Sequence, residues 1–380
     1  MKYLKRDIAK NIIKKLQPNK VVIVFGARRV GKTVLVKEIL GRINEPVLSL
    51  NGEDINVHDR LAIRSAENYK QLIGSYRLIF IDEAQKIPDI GLKLKLMIDE
   101  IEGLRIIISG SSSFDISKDA GEPLTGRKHT FNLFALSENE YVQIENSISR
   151  IDKLRERLVF GNYPELLQLP DQADKIDYLN EMVSSYLLKD ILVYENIKNS
   201  QTIFNLLRLI AFQIGGAVSL QELGKQLGIS KNTVEKYLDL LSKVFILHKV
   251  EGFSRNLRKE ITKNSRWHFL DNGIRNAIIA NFNPIEARND IGQLWENYMI
   301  SERLKYQEYN RISSNNHFWR TYEQQEIDWV EERNGSLFAY EFKWKEDQVK
   351  IPTQWKNAYP DSSFEVINNS NFEKWLEINR

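Results

Sequence analysis

Residues 21–40 read VVIVFGARRVGKTVLVKEIL. Val21 to Phe25 is a continuous β-branched and apolar run, the pattern of a strand buried on both faces of a parallel sheet. Gly26-Ala27-Arg28-Arg29-Val30-Gly31-Lys32-Thr33 follows at once and fills every fixed position of G-x-x-x-x-G-K-[ST]. Val34, Leu35, Ile39 and Leu40 then recur at helical spacing, so the glycine-rich loop lies between a strand and a helix. That context separates a phosphate-binding loop from a chance turn. Glycines let successive backbone N–H groups converge at the positive end of the helix. Gly26, Arg28, Arg29, Val30, Gly31, Lys32, Thr33 and Val34 therefore form the expected nucleotide cradle. Lys32 reaches the β- and γ-phosphates, and Thr33 offers its hydroxyl to Mg²⁺.

Outward from this loop, Asp7 to Leu16 carries the stripe Ile8, Ile12, Ile13, Leu16 and predicts a helix leading into the strand. Pro46 to Leu50 predicts a second strand, and Arg77 to Ile81 a third that ends in Asp82-Glu83. In LIFIDEAQK (78–86), Asp82 is placed to hold the Mg²⁺ shell and Glu83 to polarise the attacking water. Leu92 to Ile101 reads as an amphipathic helix and Leu104 to Ser109 as a fourth strand. Ser111, in Gly110-Ser111-Ser112-Ser113, is the candidate sensor of the γ-phosphate, with an ordinary turn serine as the competing reading. Arg127, in Leu124-Thr125-Gly126-Arg127, is either a phosphate-facing arginine or a surface one.

Composition bounds the rest. The 380 residues suffice for two or three cores. With 42% hydrophobic and 28% charged residues the chain is ordinary for a soluble protein. It has no cysteine, which removes disulfides, thiolate metal sites and cysteine nucleophiles and suits a reducing cytoplasm. Met1 to Lys10 is followed by no signal-peptide core, and no run approaches a membrane span. A net charge of +3 identifies no nucleic-acid partner by itself.

Farther on, Ile151 to Asn199 is helical and charged, interrupted at Tyr163-Pro164. Ser219 to Val234 then reads as a helix-turn-helix. Ser219 caps a helix bearing Leu220, Leu223 and Leu227, Gly228 makes the turn, and Ser230 caps a helix that buries Val234, Leu238 and Leu241. Phe245–Val250 and Trp267–Leu270 predict the strands of a wing whose connection carries Arg255, Arg258, Lys259, Lys263 and Arg266 against Glu260. Such a unit fits nucleic acid, its second helix in the major groove and its cations on phosphates. Glu235 and Asp239 dilute that charge, so packing or protein contact stays open.

In the last hundred residues, Phe338, Tyr340 and Phe342 alternate with Ala339, Glu341 and Lys343, which puts Glu341 and Lys343 on one face of a strand. Ile327 to Val330 precedes it as a strand, joined through Asn334-Gly335, and Ile291 to Leu304 forms a helix bearing Glu296. The order Glu296, Asp328, Glu341-x-Lys343 is similar to the restriction-endonuclease-like core. There Glu296, Asp328 and Glu341 are expected to hold one or two Mg²⁺ or Mn²⁺ ions, with Lys343 beside them.

GARRVGKT, LIFIDEAQK, ISGSSS and LTGR, together with GNYPEL, SYLLKDIL, GQLWENYM, EIDWV and YEFKW, resemble a family. It is that of the small bacterial and archaeal AAA-type ATPases carrying an uncharacterised C-terminal region of the DUF4143 type. The family usually has proline where Ala27 stands. The expected fold is α/β: a P-loop ATPase domain with a parallel sheet (1–145), a helical connector (146–200), a winged helix-turn-helix (201–283) and a nuclease-like domain (284–380). The resemblance implies ATP and Mg²⁺ as ligand and cofactor. Expected partners are ATP and nucleic acid, DNA ahead of RNA, with no membrane, in the cytoplasm; a homo-oligomer is open. Two functions compete: an ATPase coupled to nucleic-acid binding and cleavage, and a non-nucleolytic ATP-dependent switch or adaptor.

Overall fold

The computed structural model describes residues 4–111, 124–146, 149–187, 200–254 and 265–378. It divides into two compact units, Met1–Leu136 with Lys243–Phe245, and Ser137–Ser242 with Ile246–Arg380.

The first unit is built on five parallel strands, β1 (Lys20–Phe25), β2 (Val47–Asn51), β3 (Leu78–Asp82), β4 (Arg105–Gly110) and β5 (Lys128–Asn132), in the order β2-β3-β4-β1-β5. Val21 to Phe25 in β1 are all buried, as a run without alternation requires of a strand covered on both faces. β4 separates β1 from β3, so the turns that follow these three strands emerge side by side at the carboxyl edge. Open parallel sheets bind their ligands at that edge. Between β2 and β3 the chain forms two helices, Ile55–Ala62 and Ala66–Ile73, capped by the side chains of Asp54 and Ser65. The buried faces of these helices, Val57, Leu61, Tyr69 and Ile73, join the core around Ile79, Ile81, Ile106 and Ile108.

The second unit is centred on seven strands: β6 (Ala217–Val218), β7 (Leu247–Gly252), β8 (Ser265–Phe269), β9 (Asn315–Arg320), β10 (Glu326–Arg333), β11 (Ser336–Phe342) and β12 (Ser363–Ile367). Their order is β12-β11-β10-β9-β7-β8-β6. Residues 146–200, 201–283 and 284–380, set apart in the sequence reading, fall in this one unit apart from Lys243–Phe245. The hairpin β7–β8 joins the sheet of β9–β12 through parallel pairing of Glu251 with His317 and Gly252 with Phe318. The long helix Ile291–Asn310 buries Leu294, Trp295, Tyr298 and Met299. Asn334 and Gly335 take φ of 50° and 79°, the left-handed pair that a two-residue hairpin between β10 and β11 demands.

The helix-turn-helix has the expected local chemistry. Ser219 Oγ accepts from Glu222 N at 3.3 Å, Gly228 takes φ 66°, and Ser230 Oγ accepts from Thr233 N at 3.1 Å. Val234, Leu238 and Leu241 are buried as predicted. Arg255, Arg258, Lys259, Glu260 and Lys263 lie outside the described residues, as do Ser112 and Ser113 and most of SYLLKDIL. Among the described residues, no helix is long and apolar enough to cross a membrane.

Candidate ATPase site and the acidic cluster of the second unit

Phe25 ends β1, and the loop that follows turns through Arg29 at φ 65° and Gly31 at φ 95° before the helix Lys32–Gly41 begins. Both values lie in the left-handed region, where Gly31 costs least. A Cβ at Gly26 would stand 2.2 Å from Leu133 O, so only glycine lets the loop leave the sheet there. Val30 packs inward while Arg28, Arg29 and Val34 face partly or fully outward. Lys32 is buried, with Nζ donating to Gly26 O and Ala27 O at 2.9 Å each. The ammonium thus lies folded over the loop's own carbonyls, in the space a phosphate cradle encloses.

Asp82, the last residue of β3, is held from two sides. Thr33 Oγ1 donates to its Oδ2 at 2.8 Å, and Ser109 Oγ donates to its Oδ1. A hydroxyl at a helix start and a carboxylate beside it are hard oxygen donors, a set that fits Mg²⁺. Glu83 follows with φ 48° and is partly buried. Its Oε2 accepts from Gln85 Nε2 at 2.6 Å, and the same amide nitrogen donates to Ser111 Oγ at 3.0 Å. Ser111, just beyond β4, therefore stands between the turns after β1 and β3.

Arg127 takes the surface position of its two readings. It precedes β5, whose Lys128 pairs with Val21 at the start of β1, and Arg127 O accepts from Val21 N at 2.9 Å. The parallel register thus sets Arg127 at the amino edge, a strand's length from the phosphate loop. Its side chain instead binds Asp99 on the surface, Nε to Oδ1 at 2.8 Å.

Three residues here escaped the sequence reading. Buried Arg6 donates from Nη1 to Val30 O at 2.8 Å and from Nη2 to Phe134 O at 2.7 Å, bracing the loop from behind. Gly52 N donates to Asp82 O at 2.8 Å, and a Cβ at Gly52 would stand 2.3 Å from Glu83 O. Gln85 joins Glu83 to Ser111. Only Gly52 carried a local signal, as Asn51-Gly52 at a strand end.

In the second unit, Glu296, Asp328 and Glu341 do come together with Lys343. A register shift between Ile327 and Val330, across Asp328-Trp329, interrupts the pairing of β10 with β9. Asp328 Oδ2 accepts from Phe342 N at 2.9 Å, and Lys343 Nζ donates to Glu341 Oε1 at 2.7 Å. Burial drives the Glu296 carboxyl well above the usual range, helped by the Asp328 charge. Burial likewise raises Asp328, and burial with the Asp328 charge pushes Glu341 up to about 7. Burial works against the Lys343 ammonium, but the Glu341 hydrogen bond and charge leave it raised.

A second cation among these acids, beside Lys343, is Arg266 on β8. This buried guanidinium sets Nη1 3.6 Å from both Glu296 Oε1 and Asp328 Oδ1 and Nη2 2.7 Å from Glu326 Oε2. It lies over the Phe318 ring at 4.6 Å. Among the described residues, no group of three or more histidine, aspartate or glutamate side chains is placed to hold a metal ion. This departs from the expected metal set of Glu296, Asp328 and Glu341. Arg266 stands against Glu296 and Asp328 and Lys343 against Glu341, so the residues present are not arranged around a divalent ion, and no chemistry is routed through one.

Comparison with known proteins gives family matches along the chain. Residues 18–142 match the family model described as AAA domain. Residues 151–285 and 291–374 match two domains of unknown function, DUF8612 and DUF4143 respectively. An uncharacterized protein of Methanocaldococcus jannaschii is 24% identical, covering 99% of this chain and 90% of its own length. One of Mycobacterium tuberculosis is 25% identical over 89% of this chain and 74% of its own. Among solved structures, a Thermotoga maritima RuvB Holliday junction branch migration motor is 17% identical, with TM-score 0.30 over 60% of this chain and 81% of that one. A STAND protein of Pyrococcus horikoshii is 12% identical, with TM-score 0.32 over 81% of this chain and 47% of that one. Likenesses at that level carry no inference about what the chain acts on. The chain is thus similar to an AAA domain over residues 18–142, ahead of its match to DUF4143 over 291–374.

Proposed function

We propose that this chain is an ATP-driven switch: the first unit binds and hydrolyses ATP, and the second binds nucleic acid without cutting it. The observation that carries the ATPase reading is the hydrogen bond from Thr33 to Asp82, which joins the glycine-rich loop to the end of β3. With ATP bound, the backbone N–H groups of Gly31, Lys32 and Thr33 hold phosphate oxygens at the helix start. Lys32 exchanges its contacts to Gly26 O and Ala27 O for the β- and γ-phosphates. Thr33 and Asp82 would hold Mg²⁺, which supplies charge neutralisation on the phosphates. Glu83 takes a proton from the attacking water as its oxygen bonds to phosphorus and the bond to the departing ADP oxygen breaks.

The capped helix-turn-helix at 219–243 supports the nucleic-acid reading, and Arg266 among the acids supports binding without cleavage. Fluorescently labelled duplex DNA titrated with the Glu83→Gln variant tests both parts. Binding that differs between ATP and ADP, with the DNA intact after Mg²⁺ or Mn²⁺ is added, is the expected result. Equal affinity in both nucleotides removes the switch, and nicking lost in Glu341→Ala restores the nuclease.

A further inference from the structure

Gln85 is assigned no role by the phosphate loop or by the acidic pair before it, yet it lies between the two groups that must act together. The short turn Ala84–Lys86 carries it back beneath Glu83. Its Nε2 has two hydrogens, and both are committed: one to Glu83 Oε2 at 2.6 Å, one to Ser111 Oγ at 3.0 Å. The Glu83 carboxylate only accepts, which fixes the end of the amide that faces it. The other end, Gln85 Oε1, is buried and accepts no hydrogen bond from the described residues. Buried acceptors are rarely left bare, and those that are cluster at sites completed by a ligand or water.

We propose that Gln85 is a positioning residue for hydrolysis, coupling Ser111 at the γ-phosphate to the orientation of the Glu83 carboxylate. This rests on the ATPase reading and deepens it. Ser111 can accept from Gln85 while its own hydroxyl hydrogen donates to a phosphate oxygen, so a chain runs from the phosphate through Ser111 and Gln85 to Glu83. Bonds in such a chain polarise one another, and contact at one end strengthens the hold at the other. The bare Oε1 then has a donor in the water that Glu83 polarises. With ADP the Ser111 link has no γ-phosphate to report, and the base is less well held.

ATP hydrolysis by wild type, Lys32→Ala, Gln85→Ala and Gln85→Glu, with kcat and KM measured for each, tests this. Gln85→Ala should lower kcat about 10–100-fold and leave KM for ATP nearly unchanged, because the phosphate cradle is untouched. Gln85→Glu keeps the size but replaces the amide donor with a carboxylate that cannot donate to both Glu83 and Ser111, so kcat should again fall with KM nearly unchanged. A merely structural Gln85 would be rescued by this change of the same size. Wild-type kcat in Gln85→Ala or in Gln85→Glu overturns the inference while the ATPase reading stands. A wild type whose hydrolysis does not depend on Lys32 overturns both.

Discussion

Thr33 Oγ1 donates to Asp82 Oδ2 across 2.8 Å, so two segments 49 residues apart in the chain are joined at the point where Mg²⁺ is to be held. The pair fixes the spacing of the helix start from the end of β3. Thr33→Ala removes one metal ligand and the bond that orients the other. It should weaken ATP binding in the presence of Mg²⁺ about 10–100-fold. Affinity without Mg²⁺ should change little. Isothermal titration with and without Mg²⁺ separates the two, and an equal loss in both would place Thr33 outside the metal shell.

Arg6 braces the loop through the carbonyls of Val30 and Phe134. Arg6→Ala leaves both acceptors without a charged donor and should cost about 1.5–3 kcal/mol of stability. ATP·Mg²⁺ should restore part of the loss in melting temperature, since ligand binding favours the folded loop. A variant that melts with wild type would make the brace incidental.

Much of this was legible in the sequence, and the boundary of legibility is physical. The loop from Gly26 to Thr33 is contiguous, so its residues announce one another by spacing alone. Asp82 and Glu83 are readable because a buried strand must end where its polar residues begin. The caps at Ser219 and Ser230 are equally local. Arg127 stayed between two readings because its place depends on the register of β5 against β1, which pairs Lys128 with Val21 at the far edge. Arg6 and Gln85 act on partners that no local pattern names. Arg266 read as one cation of a wing. Only the continuation of β7–β8 into the sheet of β9–β12 brings it against Glu296 and Asp328.

Arg266 now carries its own prediction. Removing one partner of a buried charge cluster leaves the others uncompensated, so Arg266→Ala should destabilise the protein by about 3–5 kcal/mol. Arg266→Lys should recover part of this, losing the fork that spans Glu326 and Asp328. Chemical denaturation measures both. Mn²⁺ titrated into Lys32→Ala should give no signal that Glu341→Ala abolishes. A signal of that kind would mean that Arg266 yields its place to a metal.

His268 gives a pH dependence. Both its ring nitrogens are buried without hydrogen-bond partners among the described residues, and burial, the Arg266 charge and His248 push its pKa from 6.5 down to about 3. The folded state holds the ring neutral while the unfolded chain protonates it below 6.5. Its contribution is therefore intact above pH 6.5 and is lost as pH falls toward 3. His268→Leu has no such loss, so its stability relative to wild type should rise steadily as pH is lowered from 7 to 4. A difference independent of pH would mean that the ring titrates normally in the folded protein.

The central claim is that Lys32 holds the phosphates and Glu83 drives the water. Steady-state ATP hydrolysis beside equilibrium ATP·Mg²⁺ binding, for wild type, Lys32→Ala and Glu83→Gln, tests it most directly. Lys32→Ala should lose tight binding, because the cation facing the β- and γ-phosphates is gone. Glu83→Gln should bind as wild type does and hydrolyse about 100-fold or more slowly. Hydrolysis by Lys32→Ala at the wild-type rate would contradict the account.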